Sequence, residues 1–349
     1  MRLWEKRAFA LLTTAVFLAV LLLFGCTKTT GTNEEAKKEE PKPSPVILKM
    51  ANQNPEGSLH GQSYSYFAQQ VEKESGGQIK VQVYHSGSLV QDPDVIDAIM
   101  NGTVDIAHFQ NAYISTTIPE TLPFEIPGAC SYNMDKFDKF ATLTTPILQK
   151  IFSKYGVVYI GAIPPGTLVF VGNKEVHKPA DLKGTIVRTA SKWSGEAVRL
   201  WGGTPMTIPI ADVPTSLERK VIDLVNTSWA ATQAFKLYEV SKNLAITDQM
   251  EIYAGVIFSQ KTWDKLTKEQ QEAIKRAFPK LTEFHRQKTV ESYQKLLADA
   301  KAKGVKAYEL TPDENKEFAK VSKTLLEQIK GNVKEGGLEL MKAFEELNK

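Results

Sequence analysis

An alternation of strand and helix runs through residues 46–107 and starts again at residue 168. In the first run, VILKM at 46–50 reads as a strand, and Tyr64, Phe67, Ala68 and Val71 share one face of a helix that Gly76 and Gly77 end. Ile79, Val81 and Val83 alternate with polar residues as a half-buried strand, a helix over about 94–100 stops at Asn101-Gly102, and a strand follows at 104–107. In the second run, 168–171 and 185–188 read as strands, 194–201 as a helix closed by Gly202-Gly203, and 205–208 as a further strand. Elements in this order bury their apolar faces in a mainly parallel sheet covered by helices, so the expected class is α/β. The two runs also share an echo. DVIDAIMNGTVDIA from Asp94 and DVPTSLERKVIDLV from Asp212 match in residue type, with the second aspartates, Asp105 and Asp223, at the same spacing. Two similar lobes facing each other would produce this, and so would chance similarity of two short helix–strand units.

The last part of the chain reads as helical. Thr267 with Gln270, and Thr311-Pro312 with Glu314, have the form of capping boxes, the second with proline at the favoured first position. The stretch from 267 to about 303 is long for a globular helix, and Pro279 is expected to kink or interrupt it.

Arg2, Lys6 and Arg7 precede an apolar run at 8–24, the form of a signal sequence over residues 1–25. Leu23-Phe24-Gly25-Cys26 is similar to a bacterial lipobox, so Cys26 is the expected lipidation site; the competing reading is an uncleaved membrane anchor. Either places the remainder outside the membrane. Residues 26–45 mix charge with proline and lack large apolar side chains, which makes them a flexible, extended tether. From Val46 to Lys349 the chain is long enough for two lobes. A formal net charge of +3 and the lack of a basic stripe with interleaved aromatics give no argument for nucleic acid. With Cys26 acylated, Cys130 reads as a packing residue.

Motifs for catalysis do not occur: there is no G-x-S-x-G elbow, no G-x-x-x-x-G-K phosphate loop and no H-E-x-x-H. His60, His85, His108, His177 and His285 are scattered singly and read as packing or surface residues, so neither a metal nor a cofactor is expected, and no enzyme. Arg188 stands apart. It ends a short strand in an open α/β pattern, where ligands bind, and its planar fork of donors suits bidentate capture of a carboxylate; an exposed strand-end arginine is the plain alternative.

The segment DLKGTIVRTASKWSGEAVRLWGGTPMTIPIADVPTSLERKVIDLVNTSW at 181–229 resembles the core of the solute-binding proteins of tripartite ATP-independent periplasmic (TRAP) transporters, dicarboxylate-binding type. The layout before it is also similar to that family: a polar turn with Pro55, Gly57 and His60, the glycine pair before Ile79, Gly102-Thr103-Val104-Asp105, and LPFEIPG at 122–128. The resemblance implies a two-lobed periplasmic-binding-protein (Venus flytrap) fold with a long C-terminal helix bracing both lobes. On that plan residues 46–165 plus about 254–293 form lobe I, and 166–253 plus about 294–349 form lobe II. It implies that Arg188 binds the ligand's carboxylate, that Thr227 takes the place of a family asparagine, and that Gln53 and Gln110 face the ligand from the first lobe. The family's second arginine is missing, with Leu168 in its place. A second buried carboxylate would then lack a partner, so the expected ligand is a monocarboxylate. Trp193, Trp229, Phe109 and Tyr113 are candidates for apolar walls, Trp193 and Trp229 foremost; aromatics at such spacings are core residues at least as often. The implied partners are the membrane subunits of a sodium-driven TRAP transporter. The rivals are a solute-binding lipoprotein of an ABC transporter, against which the 181–229 segment and the long helix argue, a surface-anchored hydrolase, and a sensory ligand-binding lobe.

Overall fold

The computed structural model describes residues 44–130, 133–164 and 166–349. The expected signal sequence, the lipidation site Cys26 and all but the end of the tether lie outside the described residues. The first lobe opens with β1 (Val46–Ala51), α1 (Leu59–Glu74), β2 (Ile79–Tyr84), α2 (Val95–Asn101), β3 (Ile106–Gln110), a short α3 (Asn111–Ile114), α4 (Phe137–Ser153) and β4 (Val157–Ala162). The chain then crosses to β5 (Thr167–Gly172), β6 (Ile186–Thr189), α5 (Lys192–Leu200), β7 (Thr204–Thr207), α6 (Val213–Glu218), β8 (Leu224–Ser228), α7 (Trp229–Ala234) and β9 (Asn243–Glu251). It returns with β10 (Ala254–Ser259) and α8 (Gln260–Trp263), and continues as α9 (Lys268–Ala302), β11 (Lys306–Glu309), α10 (Pro312–Ala319), α11 (Ser322–Lys330) and α12 (Glu335–Asn348). No helix among the described residues is long and apolar enough to cross a membrane.

The strands form two sheets, one of order β2-β1-β3-β10-β4 and one of order β11-β9-β5-β8-β6-β7. Each is mixed, where the sequence pattern suggested mainly parallel pairing. The antiparallel strands are those next to the crossings: β10 runs against β3 and β4, and β5 against β8 and β9. A chain that leaves a lobe and returns through the same waist must run the opposite way on return. The two crossings touch there, with Ile252 N donating to Gly166 O at 2.9 Å.

The echo has a structural meaning. Asp105, after α2, accepts from Lys49 N of β1 through Oδ2 at 2.8 Å; Asp223, after α6, accepts from Ile186 N of β6 through Oδ2 at 2.7 Å. In both lobes the aspartate locks the strand its helix delivers to the edge of the neighbouring parallel strand.

The helix α9 starts at a capping box, Gln270 N donating to Thr267 Oγ1 at 3.2 Å and Thr267 N to Gln270 Oε1 at 2.9 Å. Its 35 residues span about 52 Å. Along one stripe, Ile274, Ala277 and Leu281 join the apolar core of the first sheet, while Leu296 and Ala300 join that of the second. Each fully buried leucine contributes about 2 kcal/mol, so the helix is fastened to both lobes. Pro279 does not interrupt it. Pro279 and Lys275, the residue four positions earlier whose carbonyl loses its helical partner, both lie on the exposed face, where water replaces the lost bond.

The final helix departs from the expected partition, which placed everything after about 294 in the second lobe. Leu340, Phe344 and Leu347 of α12 enter the first lobe's core beside Phe124 and Phe140, and Lys150 meets Glu339 at 3.1 Å. An amphipathic helix goes where its apolar face is buried, and α4 offers that face. Helix α10 stays with the second lobe, where Phe318 packs with Phe170 and Trp201, while α11 touches both: Leu325 joins that core and Ile329 packs with Leu122 and Ile126 of the first lobe.

Candidate functional site

A cavity of about 40 Å³ lies between the lobes at the carboxyl ends of the strands. Gln53 reaches it from the turn after β1, Gln110 from the end of β3, Arg188 from β6, and Asn226, Thr227 and Ser228 from the end of β8. Its volume has room for a few waters and is far below the roughly 300–1,000 Å³ usual for ligand pockets. The lobes are therefore drawn together, and a solute enters only when they part.

Arg188 is 1 % exposed. Its Nε donates to Ile208 O at 2.9 Å, which fixes the plane of the guanidinium, and its Nη2 donates across the cleft to the Tyr113 hydroxyl at 3.1 Å. Among the described residues no carboxylate lies within ion-pair distance of it. A buried guanidinium in that condition needs an anion.

The cavity also holds two carboxyl groups that sequence reasoning missed. Asp92 is 5 % exposed, and no described residue donates to its carboxylate; its backbone N–H donates to Gln53 Oε1 at 3.3 Å. Burial pushes its pKa up to about 7, against the opposing pull of Arg188. Glu125, also buried, accepts from Asn111 Nδ2 at 2.9 Å and, across the cleft, from Ser191 Oγ at 2.8 Å. Burial raises its pKa and these hydrogen bonds oppose the rise. Asn226 Nδ2 and Asn111 Oδ1 are buried without a hydrogen-bond partner.

Four of the residues singled out from the sequence, Arg188, Thr227, Gln110 and Gln53, line this one cavity, with Leu168 beside them. The two tryptophans do not. Trp229 packs edge-on against Tyr293 of α9, ring centroids 5.4 Å apart, and over Gly166 at the crossing between lobes, so it belongs to the hinge. Trp193 is half-buried beside the second lobe's core, with Lys192 Nζ 5.0 Å above its ring. Phe109 is a core residue and Tyr113 lines the cavity.

The histidines are less scattered than their positions in the chain suggest. His60 of α1, His108 of β3 and His285 of α9 meet in the first lobe, with the His60 ring 5.2 Å from His108 and 5.1 Å from His285. Tyr64 and Ser63 hydrogen-bond His108 Nδ1 and His285 Nδ1 at 2.5 and 3.0 Å. Burial lowers the pKa of all three, that of His60 to about 4, so they are neutral at pH 7. Among the described residues no group of three or more His, Cys, Asp or Glu is placed to hold a metal ion.

Two sheets on either side of a polar cleft, joined by paired crossings and a bracing helix, define a two-lobed binding protein. The chain belongs to the bacterial extracellular solute-binding proteins, family 7 (DctP), whose profile matches residues 50–332. It is thus a transport receptor of the TRAP type and not an enzyme. It is similar to the sialic acid-binding periplasmic protein SiaP of Vibrio cholerae, 24 % identical over 266 residues that cover 74 % of this chain and 82 % of the relative. Among solved structures it is similar to DctP7 of Bordetella pertussis, an extracytoplasmic solute receptor binding pyroglutamic acid, with a TM-score of 0.79, 22 % identity and coverage of 86 % and 99 %. A TRAP periplasmic solute-binding protein from Desulfovibrio salexigens with bound orotic acid gives a TM-score of 0.82 at 20 % identity, covering 86 % of this chain and 98 % of that one.

Proposed function

We propose that this receptor captures a small organic acid with one carboxylate held by Arg188, and delivers it to the membrane subunits of a sodium-driven TRAP transporter. The observation that carries the reading is the buried guanidinium of Arg188, oriented by Ile208 O and free of any described carboxylate partner. Leu168 lines the cavity where a second arginine would serve a second carboxylate, which favours a monocarboxylate. Gln110 and Gln53 contact the ligand from one lobe, and Thr227 from the other. All contacts are complete only in the closed form, so the ligand shifts the population toward closure, and closure is what the membrane partner reads. The tether and a lipid on Cys26 hold the body at the outer face of the membrane.

Replacing Arg188 by alanine strands the ligand's carboxylate in a buried site. The expected loss is about 3–5 kcal/mol, on the order of a hundredfold or more in Kd, with the fold retained. Calorimetry against the best binder from a thermal-shift screen of organic acids is the test. An unchanged affinity would remove Arg188 from the site.

A further inference from the structure

The cavity's hydrogen-bonding capacity is divided by lobe. On the second-lobe side stand groups that seek an acceptor: the Arg188 guanidinium and the Asn226 Nδ2 that has no partner. On the first-lobe side stand groups that seek a donor. Asp92 is nine-tenths buried, lines the cavity and receives no hydrogen bond from any described residue. Asn111 uses its Nδ2 on Glu125, which fixes the amide's orientation and leaves Oδ1 as a buried acceptor without a partner. A plain monocarboxylate satisfies only the second-lobe side. It would also bring a negative charge into a cavity that already holds two carboxyl groups and one guanidinium.

We infer that the solute is amphoteric, a small amino or imino acid whose protonated nitrogen is held by Asp92 and the Asn111 side-chain carbonyl while its carboxylate is held by Arg188. This rests on the reading of Arg188 as the carboxylate clamp and adds the ligand's other end. Asp92 supplies the charge that pairs with the nitrogen. Asn111, held in place by Glu125, supplies a neutral acceptor. The raised pKa of Asp92 is the counterpart of the same fact: within the protein alone its charge is poorly compensated, and a cation beside it restores the ionised form.

The test pairs each 2-amino acid of a panel, including cyclic imino acids, with the 2-hydroxy acid and the unsubstituted acid of the same skeleton. Binding to the wild-type receptor is measured by thermal shift and calorimetry. The expected result is an amphoteric member that binds at least tenfold more tightly than both of its partners. In Asp92→Asn that ratio should fall toward one. A panel in which no amphoteric member binds overturns the proposal, and so does one in which the hydroxy or unsubstituted acid binds as well. The wild-type comparison decides this even if the variant is poorly folded. The clamp is tested separately with Arg188→Met. If plain acids bind in an Arg188-dependent way, only the amphoteric reading fails; if amphoteric binding persists in Arg188→Met, the clamp reading fails.

Discussion

Tyr113→Phe should open the unliganded receptor. Two hydrogen bonds cross the cleft at the site: Arg188 Nη2 to the Tyr113 hydroxyl at 3.1 Å, and Ser191 Oγ to Glu125 Oε2 at 2.8 Å. Each has a charged or ionisable partner in a buried setting, where such a bond contributes about 1.5–3 kcal/mol. In the open form both partners are hydrated, so the whole of this term bears on the equilibrium between open and closed. Removing one hydroxyl therefore shifts that equilibrium by about tenfold to a hundredfold. Tyr113→Phe isolates the effect, because the ring stays and Tyr113 caps no helix. Ser191 is a poorer choice: its Oγ also accepts from Ser194 N at 3.0 Å as the cap of α5, and losing a cap costs about 1 kcal/mol of stability on its own. Spin or dye labels at the exposed Lys80 of the first lobe and Lys174 of the second would report the separation. Without ligand, the distance distribution should move to longer values in Tyr113→Phe. With saturating ligand, which bridges the lobes itself, both proteins should be closed. Identical unliganded distributions would refute the idea that this bond sets the resting closure.

Acid should destabilise the body through its buried histidines. Their folded pKa values lie below the unfolded value of about 6.5, so the unfolded chain binds protons first and stability falls as pH drops from about 6.5 toward 4. For His60 alone, lowered to about 4, the loss is about 3 kcal/mol at the acid end. The raised pKa values of Asp92 and Glu125 work in the opposite direction over the same range, so the histidine's share is the difference between wild type and His60→Leu in urea melts at pH 7 and pH 4. The variant should lose less stability on acidification than wild type. Gly255→Ala in β10 should be severely destabilising, since the added Cβ would lie 2.4 Å from the Gly161 carbonyl oxygen and backbone cannot yield as a side chain can. A melting temperature equal to wild type would show that the β4–β10 pair accommodates the methyl group.

What could be read in the sequence was whatever the physics keeps local. Capping boxes act within four residues, and those at Thr267 and Thr311 close as expected. Apolar spacing marks a helix or strand within a few turns, so α1, β2, β5 and α5 could be placed from their own residues. Arg188 was legible for a related reason: a strand end in an α/β pattern is a defined place, and an arginine there has few roles. Asp92 had no such signature. It sits in QDPD, which reads as a solvated turn, and only its approach to Arg188 and Tyr113 from another part of the chain makes it a cavity residue. Glu125 is hidden in the same way inside LPFEIPG, where prolines suggest shape rather than charge. The histidines lie at 60, 108 and 285 and meet only because α9 crosses back over α1. The tryptophans show the converse error, since a large aromatic near a strand end can pack on a hinge as well as on a ligand, and spacing does not distinguish the two. A binding site is the place where segments distant in sequence converge. The second charge in this cleft, and with it the chemistry of the solute's other end, therefore became visible only when Asp92 and Arg188 stood in the same cavity.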